Sequence, residues 1–511
     1  MPNFKSYDQN QSMLLPPFLA DCLPSDHFAF VVNAAVESLD LEEIIKTYSS
    51  EGSPAYNPRL MIKILFYGYA EGVVASRKIE RATYENNAFR YLAANAQPDH
   101  GTINLFRKAH LSRLGDIFAQ IVLLCDRLDM VDLSDISIDG TKIKASASTK
   151  NLFDQERIDK LRERINRSLE EAVKLDEEED KLYGDKKGYR QIPEALIDPQ
   201  ERTRIIKETL EKIKLEKLAE AEKKIKGKQA KAKTKEEKGQ KKNRTSNTTD
   251  PDANLMKMKD GSYRMGYNIQ LSSSRQIITG YAVNSELSDA GQLQPMIRET
   301  ESTTGQKVKT VKADSAYFSK NELEFCQENA IDAYIPDTMK SVEEKQERDS
   351  TIPEYDRRKF RYDPEHDQFI CPQGQPLVFS NLDKVKGRKY IGANCGDCPV
   401  KAQCTQGKRR HLCYDPKMEK MRTEMRDKLN APEGKAKYLE RLSEIEPVYG
   451  DLKQNRGFTK FHTRGKPMVL IETGLYSIAH NLVKIFNHLK KQERNGNSKQ
   501  LNLLMRLQAA S

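Results

Sequence analysis

Residues 130–141 read MVDLSDISIDGT. Val131, Leu133, Ile136 and Ile138 fall close to the two-residue period of a half-buried strand, and the run ends at Asp139-Gly140-Thr141. The spacing predicts a strand that runs into an acidic residue and a glycine turn. Downstream, Tyr263–Ser272 and Gln276–Val283 have the same pattern and predict two further strands, joined by Ser273-Ser274-Arg275. Leu287–Thr300 predicts a helix capped by Ser288 or Asp289. Val308–Ala313 predicts a strand ending at Asp314, and Ser319–Asn329 a helix with Ser319 as cap and Glu322 three residues on. Ala333–Ile335 is a short strand, and Lys435–Gln454 and Met468–Lys491 have helical spacing.

The order is three strands, helix, strand, helix, short strand, helix. It predicts an α/β chain with an RNase H-like mixed sheet and helices on both faces. Residues 130–150 and 250–336 supply the first part of that core, and 431–511 complete it. Residues 1–129 predict a helical N-terminal DNA-binding domain, with helical spacing over Leu39–Tyr48, Pro58–Glu71, Ser76–Asn86 and Asn104–Leu128. Arg77, Lys78, Arg81 and Arg107 recur on these helices, as they do in a helix-turn-helix module and on ordinary solvated helices. Residues 151–249 predict a charged helical arm. Within it Glu201–Ile225 spaces Ile206, Leu210 and Ile213 on one face, and Lys223–Arg244 carries ten Lys and one Arg against Glu236 and Glu237. Such a tract is either a solvated linker or a phosphate-binding arm with salt-sensitive affinity for nucleic acid. Residues 337–430 form a cysteine-rich insertion.

The whole chain has 511 residues and a net charge of +10. Neither a basic start followed by an apolar run nor a stretch of about 20 apolar residues is present, so secretion and membrane insertion are not expected, and a cytoplasmic location is. Five of the eight cysteines crowd between 371 and 413, which suits one local cluster better than a dispersed disulfide scaffold.

Asp139 and Asp314 each follow apolar strand residues and precede Gly or Ser. A carboxylate so placed is costly unless paired or bound to a cation, although Asp before Gly is also common in plain turns. Two such groups on adjacent strands repel each other, and a pair of Mg²⁺ ions would remove that repulsion and suit phosphodiester chemistry. The segment EIEPVYGDLKQNRGFTKF offers Glu444 or Glu446 as a third acid, and Glu472 in VLIETGLYSIAHNL is another.

At these residues the sequence resembles the bacterial insertion-sequence transposases of the DDE type, in the branch with a helical N-terminal domain and a cysteine-rich insertion. The resemblance rests on NPRLMIKILFYGYAEGVVASRKIERA, PDHGTINLFRKAH, ISIDGTKIKASAS, DPDANLM with GYNIQL, VKADSAYFS and EPVYGDLKQNRGFTKFHTRG, and runs from about Ser12 to Leu489. It implies Asp139, Asp314 and Glu446 as the catalytic triad holding two Mg²⁺ or Mn²⁺ ions. It also implies Tyr438, Arg441 and Lys453 as contacts to element-end DNA. Cleavage and strand transfer on double-stranded element ends and target, by a homodimer on two ends, follow from the same likeness. Arg441 lies five residues before Glu446, where the commonest form of the signature has four, and Pro447 predicts a helix boundary there.

Cys371, Cys395, Cys398 and Cys404, in the pattern CPQG…C-x₂-C-x₅-C, could supply four thiolates to a structural Zn²⁺ ion. Cys413 leaves open which four would bind. Cys22, Cys125 and Cys326 read as core residues.

Overall fold

The computed structural model describes residues 18–48, 54–153, 246–339, 351–383 and 387–494, with isolated positions between them. Apart from such isolated positions, the charged arm over 154–245, with its expected helix and basic tract, lies outside the described residues. Its two flanks come together: β2 (Leu152–Phe153) pairs antiparallel with β3 (Ser246–Asn247).

The central sheet is mixed. The long strand β5 (Tyr263–Ser274) pairs antiparallel with β1 (Asp135–Lys144) on one side, and with β4 (Asn254–Lys257) and β6 (Ile277–Asn284) on the other. Next to β1 come β7 (Thr310–Ala313) and then β8 (Asp332–Tyr334), both parallel. This mixed α/β arrangement, with a helical N-terminal region, is consistent with an RNase H-like core.

Three local expectations are corrected. The strand does not turn at Gly140; β1 continues to Lys144, paired with β5 throughout, and it is the pairing with β7 that stops at Ile138 opposite Ala313. The β5–β6 hairpin turns at Arg275-Gln276, both at positive φ (47° and 67°), the left-handed pair that a two-residue hairpin requires. The helix after β6 starts at Leu293, not Leu287, with Gln292 as cap, so neither Ser288 nor Asp289 caps it.

Helices α1 (Phe28–Glu37), α2 (Glu42–Ile45), α3 (Pro58–Ala70), α4 (Ser76–Glu85), α5 (Asn87–Leu92), α6 (His100–His110) and α7 (Leu114–Arg127) form the N-terminal region. Asn57 caps α3 ahead of Pro58, whose missing N–H costs nothing at that position. The sheet is flanked on one face by α8 (Leu293–Thr304) and α9 (Lys320–Glu328), where Ile136, Ile138, Val311 and Ala313 meet Met296, Ile297 and Leu323. Beyond β8, α10 (Lys401–Cys404), α11 (Pro416–Asn430), α12 (Pro432–Glu444), α13 (Glu446–Gly450) and α14 (Lys466–Arg494) follow. The 29-residue α14 packs on β6 and on α1, α3 and α7, so Leu475, Ile478, Leu482 and Ile485 share one core with Ile62, Phe66 and Ile121.

The cysteine-rich stretch carries its own five-stranded antiparallel sheet: β9 (Arg361–Asp363), β10 (Gln368–Ile370), β11 (Pro376–Asp383), β12 (Gly387–Gly392) and β13 (His411–Tyr414). Its core is Phe360, Phe369, Leu377, Tyr390 and Leu412. Among the described residues no helix is long and apolar enough to cross a membrane.

Candidate active site

Asp139 and Asp314 each follow the last paired residues of two neighbouring parallel strands, Ile138 and Ala313. Strand spacing therefore puts their backbones about 5 Å apart. On β1 the odd positions Asp135, Ser137 and Asp139 alternate with the apolar Ile136 and Ile138 that face α8 and α9. The odd face meets α12: Lys437 pairs with Asp135 at 2.5 Å, Glu444 accepts from Ser137 Oγ at 2.5 Å, and Arg441 lies 3.5 Å from Asp139.

Burial raises the Asp139 pKa to about 6; the Arg441 charge works against the rise, and Asp314 and Asp289 add to it. Burial likewise raises Asp314, against the Ala316 N–H bond at 2.8 Å and the Arg441 charge. Arg441 acts on both carboxylates, yet its Nε and Nη1 are buried with no hydrogen-bond partner. Tyr449, on α13, donates to the Asp139 carbonyl at 2.6 Å.

The three candidates for the third acid have separate fates. Glu472 is buried and fully engaged, accepting from the His462 and Thr463 backbone N–H groups and from Thr463 Oγ1. Glu444 is committed to Ser137 and, at 2.8 Å, to the fully buried Lys312, which Asp135 and Glu440 also reach at 2.9 and 3.1 Å. Glu446 is exposed at the start of α13 and takes no hydrogen bond or ion pair among the described residues. Pro447 explains the break between α12 and α13, since it supplies no N–H to continue the ladder.

Asp289 was missed by sequence reasoning except as a helix cap. It accepts from Asn268 Nδ2 at 2.7 Å and Gln270 Nε2 at 2.5 Å, and its charge is felt by Asp139, Asp314 and Tyr317. Gly140 makes room for it: a Cβ there would collide with Asp289 Oδ1 and Gln270 Nε2. The usable signal was a glycine in a strand interior, which often marks a close approach.

Lys453 donates to Thr141 Oγ1 at 2.5 Å, and burial lowers its pKa. Tyr438 stands beside Arg441, with the guanidinium 5.9 Å from its ring centroid. Arg77 and Lys78 are exposed on α4, as is Arg81, which pairs with Glu85 at 2.9 Å. Arg107 is different: it is buried, donates to the Val74 carbonyl at 2.7 Å and lies over the Tyr69 ring, with almost no surface left for a phosphate. Among the described residues no three His, Cys, Asp or Glu side chains are placed to hold one metal ion.

Two family models match the chain. Residues 370–486 match a transposase DDE domain, and residues 17–109 match a transposase domain (DUF772). Together they support an insertion-sequence DDE transposase. No curated relative and no solved structure matches. The DDE-domain match takes in Glu446, Arg441, Tyr438 and Lys453 together with β11, β12 and β13 of the cysteine-rich sheet, while Asp139 and Asp314 precede it. The DUF772 match covers most of the N-terminal helices, from before α1 through His100–Ala109 of α6. A transposase DDE domain implies a transposase- or nuclease-type enzyme, and that family generally uses divalent metal ions.

Proposed function

We propose that this transposase cuts and joins DNA strands at the ends of its own insertion sequence, with Asp139, Asp314 and Glu446 as the catalytic acids. The observation that carries the reading is the end of the β1–β7 ladder at Ile138 and Ala313, which leaves Asp139 and Asp314 as the next residues on the two neighbouring strands. The donor set fits divalent ions: two half-buried carboxylates that repel each other, with one weakly engaged guanidinium between them. Two Mg²⁺ or Mn²⁺ ions, when bound, would supply charge neutralisation and an activated attacking oxygen. In this reading Asp139 and Asp314 would hold the ions from the sheet and Glu446 would complete the set from α13, being free of the partners that occupy Glu444 and Glu472. Arg441 and Lys453 set positive charge beside Asp139 and Thr141, where a scissile phosphate must approach.

Tyr438, Arg441 and Lys453 contact the element end, and the exposed Arg77, Lys78 and Arg81 contact flanking phosphates. Residues 1–129 serve as the DNA-binding region, 151–249 as a basic arm, and 337–430 as an insertion within an RNase H-like core. Two copies on two ends bring both ends to one target.

The test is incubation of the protein with a labelled element end, a target plasmid and Mg²⁺. Joined product that disappears in Asp139→Asn and Asp314→Asn, with end binding retained, is the expected result. Hydrolysis without joining would identify a nuclease, and cutting that survives Asp139→Asn would overturn the site.

A further inference from the structure

We infer that Cys371, Cys395, Cys398 and Cys404 bind one structural zinc ion, and that Cys413 takes no part. Sequence spacing left five cysteines for four places. In the folded chain the four come from three separate pieces, the turn after β10, the loop after β12 and the end of α10, and all line one cavity of about 30 Å³. Cys413 does not line it; it sits within β13, opposite Lys389 in the β12–β13 ladder. All eight cysteines are free thiols.

Two of the four sulfurs already accept backbone hydrogen bonds. Cys371 Sγ accepts the Gln375 N–H at 3.3 Å across a tight turn closed by Gly374 N–H on the Cys371 carbonyl at 2.8 Å. Cys395 Sγ accepts the Arg410 N–H at 3.5 Å. Backbone N–H groups aimed at sulfur lower the cost of its negative charge. Arg410 contributes a second feature: its Nη1 donates to the Cys404 carbonyl at 3.1 Å, its guanidinium lies over Phe360, and its Nε is buried with no hydrogen-bond partner. An orphaned buried donor beside four thiols is expensive as it stands, and a cationic group there offsets the net double negative charge of a four-thiolate zinc centre.

Size gives the reason for the ion. The cysteine-rich sheet has a core of five buried side chains, too few to hold such a module firmly, and small domains commonly add a metal for this purpose. No three of the sulfurs are yet placed at ligand distance, so binding includes a closing of the Cys395–Cys404 loop onto Cys371. Four Zn–S bonds form and four thiol protons leave to solvent, with no redox change.

The full-length chain, purified in reducing buffer without chelator, should contain about one zinc per molecule by elemental mass spectrometry. Cys413→Ser should keep that content; Cys371→Ser and Cys398→Ser should lose it. Should those two variants fail to fold, exchange of the wild-type ion for Co²⁺ decides instead. A tetrahedral thiolate site gives an intense sulfur-to-cobalt charge-transfer band, which an oxygen-ligand site in the same chain cannot. Absence of both zinc and that band, loss of zinc in Cys413→Ser, or two disulfides found among the four cysteines in the non-reduced protein would overturn the inference.

Discussion

Asp139 is held where its charge is costly. With its carboxyl raised to about 6 by burial and by Asp314 and Asp289, keeping it ionised costs the metal-free fold about 3 kcal/mol at neutral pH. The sign follows from the direction of the shift. The cost is absent below about pH 4, where the group is protonated folded or unfolded, and it grows as pH rises through the folded value. Asp139→Asn should therefore raise the thermal midpoint in EDTA at about pH 8 and leave it nearly unchanged at about pH 4. An unchanged or lowered midpoint at the higher pH would contradict this account.

The neighbouring glutamates separate by a pair of substitutions. Glu446→Gln should lower DNA cutting by about 10²–10³-fold and change stability by less than about 0.5 kcal/mol, because the side chain is exposed. Glu444→Gln should cost about 1–3 kcal/mol in urea unfolding, because it weakens the partnership of buried Lys312. The opposite assignment of effects would make Glu444 the third acid. Sequence reasoning could name both residues but not choose between them from chemistry, since the choice depends on Lys312 and Ser137, 132 and 307 positions away from Glu444.

Among the elements, α14, the turn after α13 and the β5–β6 hairpin meet through a buried polar network. Asn481 accepts from the Ile278 N–H at 2.9 Å and donates to its carbonyl at 2.8 Å, and His480 reaches the Gln276 carbonyl at 2.8 Å. These contacts explain why His480 and Asn481 of SIAHNL are buried in α14. Asp451 binds His480 at 2.6 Å and Arg456 at 2.9 Å, and Arg456 in turn donates to the Ala70 carbonyl of α3. Burial alone would raise Asp451, but the His480 hydrogen bond and the Arg456 charge bring it far below the usual carboxylate range. A depressed carboxyl stabilises the fold above about pH 4 and loses that contribution as the pH falls toward the folded value. Asp451→Asn should thus cost about 2 kcal/mol or more near pH 7, with the gap from wild type narrowing steadily below about pH 4. Denaturant titrations at the two pH values measure it, and a gap independent of pH would show that the carboxylate charge is not involved.

The molecule as a whole is less divisible than its linear order suggests. The N-terminal helices and α14 share one apolar core, with Tyr69 against Tyr476 and Phe28 against Phe486. A chain starting at residue 130 leaves Leu475, Ile478 and Leu482 without the α3 and α7 side chains that cover them. Such a fragment should be insoluble or bind hydrophobic dye strongly, whereas full-length protein should not. A soluble fragment with a cooperative thermal transition would refute this. Local pattern could not foresee the shared core: helical spacing says which face of α14 is apolar, but not that helices some 400 residues earlier cover part of it.

Alternating strand residues, helix caps such as Ser319 and the position of two acids after apolar runs are local properties, and they were legible along the chain because backbone sterics and side-chain period act over a few residues. The end of the β1–β7 ladder beside Asp139 and Asp314, the pocket that Gly140 leaves for Asp289, the burial of Arg107 and the lining of one cavity by four of the five clustered cysteines belong to the assembled chain. Each depends on contacts between segments far apart in sequence, and the energy of such a contact exists only once packing has brought both partners out of water.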